Sequence, residues 1–90
     1  MKKLEELLEI FRDFEAIIHQ QEFSQFTIDF IQNEEMHVNE SLDCYNLTDV
    51  QINDLIASYI YQIDNILDII KNGKDGALFY DLKSNIENIK

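Results

Sequence analysis

Glu34 and His37 stand three residues apart. That is the carboxylate–imidazole spacing with which four-helix carboxylate proteins hold iron or manganese from one helical face. A complete site of that kind needs a second Glu-x-x-His and two further glutamates turned into the same core. No second copy exists, and Glu15 and His19, at i, i+4, fall on the flank of the first helix. The expectation is a solvated acidic stretch with one surface histidine, no metal and no cofactor. Nucleophilic chemistry has no better footing. Cys44, the only cysteine, follows Asp43, whose negative charge disfavours the reactive thiolate. Neither histidine sits in a nucleophile–base signature, and Gly73 and Gly76 form no phosphate loop. Plentiful solvated carboxylates are not a poised acid–base pair. The chain is read as no enzyme.

What remains is charge. The net charge is −11, and its distribution says more than its size. Between Arg12 and Lys71 there is no Lys or Arg, while twelve carboxylates fall in that interval: Asp13, Glu15, Glu22, Asp29, Glu34, Glu35, Glu40, Asp43, Asp49, Asp54, Asp64 and Asp68. Direct contact with nucleic acid or anionic lipid needs cations and is disfavoured. A basic protein partner, whether a toxin or a nucleic-acid-binding protein, is favoured by the same physics. An acidic balance that merely keeps a small protein soluble is the alternative.

Within that interval one constellation could make a contact. If Ile56, Tyr59 and Ile63 face inward, Tyr61 takes the most outward position of its heptad. Asp54 and Asp68 then lie one heptad either side, with Ser58, Asp64 and Asn65 adjoining. An outward tyrosine between carboxylates suits an interface anchor with steering charges around it. The competing reading is an amphipathic tyrosine lying over Ala57 and its neighbours. Glu40, Asp43, Tyr45 and Asp49 extend the patch if the preceding connection lies beside it.

The element that positions this face runs from Thr48 to Gly73. Thr48 suits an N-cap paired with Gln51 in a capping box, and Leu47 and Ile52 sit at staple positions. Ile52, Ile56, Tyr59, Ile63, Ile66 and Ile70 recur at alternating fours and threes, widened by Leu55, Ile60 and Leu67 into a core-facing stripe. Gly73 is placed as a left-handed C-cap. Before it, Leu4, Leu7, Phe11, Phe14 and Ile18 mark a first helix over 3–21, which fails at Gln20-Gln21-Glu22. Ser24 is the expected N-cap of a second helix over 24–45, with Phe23 and Ile28 as its staple and Phe26, Phe30 and Ile31 as its aromatic and aliphatic face. Asn33-Glu34-Glu35 or Asn39-Glu40-Ser41 would interrupt it in the alternative reading, and Asn46 is the expected left-handed residue after it. The third helix is read as 49–72. Lys74-Asp75-Gly76 is read as a tight connection to a fourth over 76–89, along Phe79, Leu82, Ile86 and Ile89.

Ninety residues with 46% apolar content make one helical domain over 1–90 that buries about 60–65% of its unfolded surface. The fold class expected is all-α, a small antiparallel four-helix bundle. Its core should include Leu7, Phe11, Phe14, Phe30, Ile56, Ile63, Ile66 and Leu82. A lone cysteine gives no disulfide, and no apolar run follows Met1-Lys2-Lys3. A cytoplasmic protein with no signal peptide and no membrane span is expected.

The segment Ile69-Ile70-Lys71-Asn72-Gly73-Lys74-Asp75-Gly76-Ala77-Leu78 is a helix end, a Gly-containing turn and an Ala-Leu opening to the next helix. With the small, acidic, all-helical character of the chain, it resembles the bacterial immunity proteins of toxin systems, of the Maf-type and contact-dependent-inhibition kind. The similar turn sits near the C-terminus here, and no functional residue of those proteins is carried over. The resemblance implies a stoichiometric inhibitor that neutralises a nucleic-acid-cleaving bacterial toxin. The competing expectations are a phage-type acidic mimic of nucleic acid and a helical dimerisation or adaptor module, the latter a homodimer.

Overall fold

In the computed structural model, which describes residues 2–44 and 46–89, the chain forms four helices: α1 (Lys2–Gln20), α2 (Gln25–Cys44), α3 (Asp49–Ile69) and α4 (Gly73–Glu87). No strand occurs among the described residues. At about 1.5 Å per residue the 21 residues of α3 span roughly 32 Å, nearly the full 37 Å length of the molecule.

The start of α3 is built as its sequence dictates. The Thr48 hydroxyl accepts from the Gln51 N–H at 3.2 Å, and the Gln51 side chain accepts from the Thr48 N–H at 2.9 Å. Both orphan donors are thereby satisfied, for about 1 kcal/mol of helix stability. At the other end the helix stops earlier than expected, at Ile69, with the Ile70 N–H bonded to the Ile66 carbonyl. Gly73 does take the left-handed conformation, at φ +84°, but it opens α4 instead of closing α3. The segment Lys74-Asp75-Gly76 is therefore the first turn of α4, not a connection. Gly76 is buried there, and a Cβ on it would meet the Ile70 and Lys71 carbonyl oxygens, each at 3.0 Å. That close approach, not turn geometry, explains a glycine inside a helix.

The second helix runs unbroken through both Asn33-Glu34-Glu35 and Asn39-Glu40-Ser41. The Ser41 hydroxyl donates to the His37 carbonyl at 3.0 Å, so the polar residues bond along the helix and leave the ladder intact. Asn46 is not left-handed, and among the described residues no non-glycine has positive φ. The chain reaches α3 through an extended Thr48 (φ −75°, ψ 164°).

The backbones of the hairpins α1–α2 and α3–α4 approach most closely through α1, which meets all three other helices, while side chains of α2 reach both α3 and α4. Lys3 Nζ donates to Asn53 Oδ1 at 3.1 Å, tying the starts of α1 and α3 at one end. The starts of α2 and α4 are tied at the other end through Asp75. The helices therefore run alternately up and down, as expected of an antiparallel bundle.

One core cluster joins all four. Leu4, Leu7, Phe11, Ile31, Val38, Ile56, Ile63, Phe79, Leu82 and Ile86 are fully enclosed. Phe11 packs on the Tyr59 ring with centroids 5.2 Å apart, and Phe30 meets Phe79 edge-on at 5.5 Å. Phe30 and Ile66, expected in the core, are only partly buried. Toward the end of α3 the buried stripe passes through Leu67, and Ile66 borders the apolar surface beside Phe26. No helix of the described residues is long and apolar enough to cross a membrane.

Candidate functional site

The inward side of α3 fixes where its outward side points. Ile52, Ile56, Tyr59, Ile63 and Leu67 are buried. The opposite stripe, Asp54, Ala57, Ser58, Tyr61, Gln62, Asn65 and Asp68, is exposed throughout. Tyr61 is 69% exposed. Asp54 and Asp68 stand two heptads apart, about 21 Å along the axis, with Tyr61 midway. Gln62 donates to the Ser58 hydroxyl at 3.2 Å across one turn of the same stripe.

Two expected members behave differently. Asp64 is not a free charge: Lys83 of α4 reaches its carboxylate at 2.6 Å, and that hydrogen bond raises the Lys83 ammonium above the ordinary lysine range. Tyr45 lies outside the described residues. Glu40, Asp43 and Asp49 are exposed at the α2–α3 end, at the Asp54 end of the stripe. Beside Asp54, an open cleft of about 450 Å³ is lined by Ser41, Leu47, Gln51 and Leu55.

Two of these charges work against the helices that carry them, whereas Asp49, in the first turn of α3, suits its positive end. The last turns of α2 and α3 contain no basic residue, and Asp43 and Asp68 sit at those ends. Anions at a negative helix terminus cost a few tenths to about 1 kcal/mol, where a cation would stabilise. Of the twelve carboxylates between Arg12 and Lys71, eight are exposed. Only Glu35 and Asp64 have a Lys or Arg ion-pair partner among the described residues, in Arg12 and Lys83, while Glu15 lies 3.8 Å from His19, a pair only when that imidazole is protonated.

Glu34 is the exception to the solvated acidic stretch. It is partly buried and accepts from the Tyr59 hydroxyl at 3.0 Å. Burial, with the Glu34 charge and hydrogen bond adding to it, pushes the Tyr59 phenol far up. His37 is exposed, and no group of three or more His, Cys, Asp or Glu side chains converges among the described residues. Glu34 is thus a partner for a core tyrosine.

Sequence reasoning missed two features. The first is an apolar cleft of about 160 Å³ lined by Phe26, Ile66, Ile69 and Ile70, in which Ile69 is 84% exposed. Its signal was present: Ile69 falls off the inward stripe, beside Asp68. The second is a carboxylate latch. Asp75 Oδ2 accepts from the Ser24 hydroxyl at 2.5 Å, the Thr27 hydroxyl at 2.6 Å and the Ser24 N–H at 3.2 Å. No spacing signals it, since 51 residues separate Ser24 from Asp75.

Compared with protein-family models, curated proteins and solved structures, the chain matches none. The functional reading therefore rests on the surface itself.

Proposed function

We propose that this protein is an inhibitor that binds and blocks a basic protein, and specifically an immunity protein that neutralises a nucleic-acid-cleaving bacterial toxin. The observation that carries this reading is the stretch from Asp13 to Ile70, which holds twelve carboxylates and no Lys or Arg and exposes eight of them. A nuclease gathers cations where phosphate binds, and a rigid carboxylate-rich bundle covers such a surface. Tyr61 supplies the anchor: a rigid aromatic body at the centre of a polar stripe, with Asp54 and Asp68 steering approach.

The test is kinetic. The partner is sought first in the product of the neighbouring reading frame and then by pull-down, and association is followed across a salt series. Raising ionic strength from 0.01 M to 0.15 M shortens the Debye length from about 30 Å to about 8 Å, so the on-rate should fall steeply. Asp54→Asn and Asp68→Asn should slow association, while Tyr61→Ala should speed dissociation with a loss of about 2 kcal/mol or more. A salt-independent on-rate together with a neutral Tyr61→Ala would refute the reading.

A further inference from the structure

Phe26 and Ile69 are the two large apolar side chains left open at the end of the bundle where α2 begins and α3 stops. Phe26 is 53% exposed and Ile69 84%. Between them, Ile66 and Ile70 floor a cleft of about 160 Å³ whose lining is wholly apolar. Scattered apolar residues on a surface need no explanation, but four that converge on one concave site do. The volume suits a single aliphatic or aromatic side chain, not a cofactor.

Exposed carboxylates outnumber cations in the neighbouring stretches of chain. Asp68 precedes Ile69 on the exposed side of α3, Asp29 lies one turn beyond Phe26 on α2, and Glu22 occupies the connection just before it; all three are exposed. The adjacent end of α3 adds the partial negative charge of its last free carbonyls, with no basic side chain in that turn. Lys71 is the exposed cation beside the cleft, and Lys74 is drawn aside over the Phe23 ring, 6.0 Å from its centroid.

From this juxtaposition we infer that the cleft receives an apolar side chain from a basic segment of the partner protein, with Lys or Arg residues beside it that pair with Asp68 and Asp29 and cap the end of α3. A second copy of this chain fits badly, because a surface that is itself anionic would be brought against Glu22, Asp29 and Asp68. The inference deepens the proposed inhibitor function and rests on it. Ile69 adjoins Asp68, about 12 Å along α3 from Tyr61, a span that one partner covers.

The probe is a synthetic amphipathic peptide of Lys, Arg and Leu, set against two controls. One is its scrambled isomer, which keeps the charge but has no apolar face; the other is its counterpart with every Lys and Arg replaced by Glu. Binding is followed by the amide and methyl NMR shifts of the intact protein. The basic amphipathic peptide should shift Phe26, Ile66, Ile69 and Ile70, and Ile69→Ser should weaken it at least about tenfold. Ile and Ser have similar helix propensities, and Ile69 is the most exposed of the large apolar residues, so the melting temperature should not move. Equal binding by the scrambled isomer, or indifference to Ile69→Ser, overturns the cleft and leaves the acidic-face reading standing. Equal binding by the Glu peptide overturns both. Self-association of the free protein that is lost in Ile69→Ser assigns the cleft to a second copy and overturns this inference.

Discussion

Replacing Asp75 with Asn should unlatch one end of the bundle, and it should do so in a pH-dependent way. Asp75 belongs to the first turn of α4, yet its carboxylate serves the start of α2, which has no acidic residue in its own first turn. Three donors converge on one oxygen. Hydrogen bonds to a charged group contribute about 1.5–3 kcal/mol each when dry. Ser24 is exposed and Asp75 only partly buried, so water takes a large share of that. A helix cap measured by substitution contributes about 1 kcal/mol. Loss of the charge at both helix starts is therefore set at about 1–2 kcal/mol, with a fall in Tm of about 4–8 °C per kcal/mol. Partial burial pushes the Asp75 carboxyl up, but the bonds from the Ser24 and Thr27 hydroxyls and the Ser24 N–H, with Lys74 nearby, outweigh it and hold the carboxyl below its ordinary 3.8. A depressed folded-state pKa stabilises fully above the unfolded value and loses that stabilisation as pH falls through the folded one. Urea unfolding of the parent and of Asp75→Asn should thus differ by the full amount at pH 7, begin to draw together below about pH 4, and converge once the pH is below the folded-state pKa. Asp13→Asn, an exposed carboxylate outside the latch, controls for the change in net charge. A difference that stays constant down to pH 3, or no difference at pH 7, would refute the latch.

Three further substitutions probe other parts of the frame. Gly76→Ala should destabilise despite alanine's helix propensity, by about 1–3 kcal/mol in thermal melts, since the new Cβ meets two backbone carbonyl oxygens at 3.0 Å; a more stable variant would show that the turn relaxes. Tyr59→Phe should cost about 1–3 kcal/mol by leaving partly buried Glu34 without its donor, and a spectrophotometric titration of the parent should show one of its four tyrosines silent until the protein unfolds in alkali. Ile63→Ala, at a fully enclosed position in the centre of α3, should lose about 2–5 kcal/mol in denaturant unfolding.

Local signals account for most of what the sequence made legible. The capping box at Thr48 and Gln51 is written within four residues, and the apolar period of α3 repeats often enough to orient the whole helix. That orientation in turn put Tyr61 outside and Tyr59 inside. What escaped was tertiary. Gly73 reads as a C-cap because left-handed glycine is common there, yet its positive φ opens α4 instead of closing α3. Gly76 reads as a breaker, since nothing local says that the Ile70 and Lys71 carbonyls press against it. Asp64 reads as a free charge until α4 brings Lys83 alongside. Glu34 reads as solvated until the Tyr59 hydroxyl reaches it from α3.

The bundle also divides its charges unequally between internal and external work. Lys3, Arg12, Lys74 and Lys83 each contact a side chain of another element, in Asn53, Glu35, Phe23 and Asp64. Four of the seven cations thus bridge one element to another. By contrast, Glu40, Asp43, Asp49, Asp54 and Asp68 reach solvent with no ion-pair partner among the described residues. Stability alone would favour the reverse at the ends of α2 and α3, where a lysine would complement the dipole and reduce self-repulsion. On the inhibitor reading proposed above, the charge that opposes its own helices at Asp43 and Asp68, near an exposed Tyr61 and an open apolar cleft, is there to meet a basic partner. On contact that partner would relieve the repulsion, complete the helix ends and cover the anchors together.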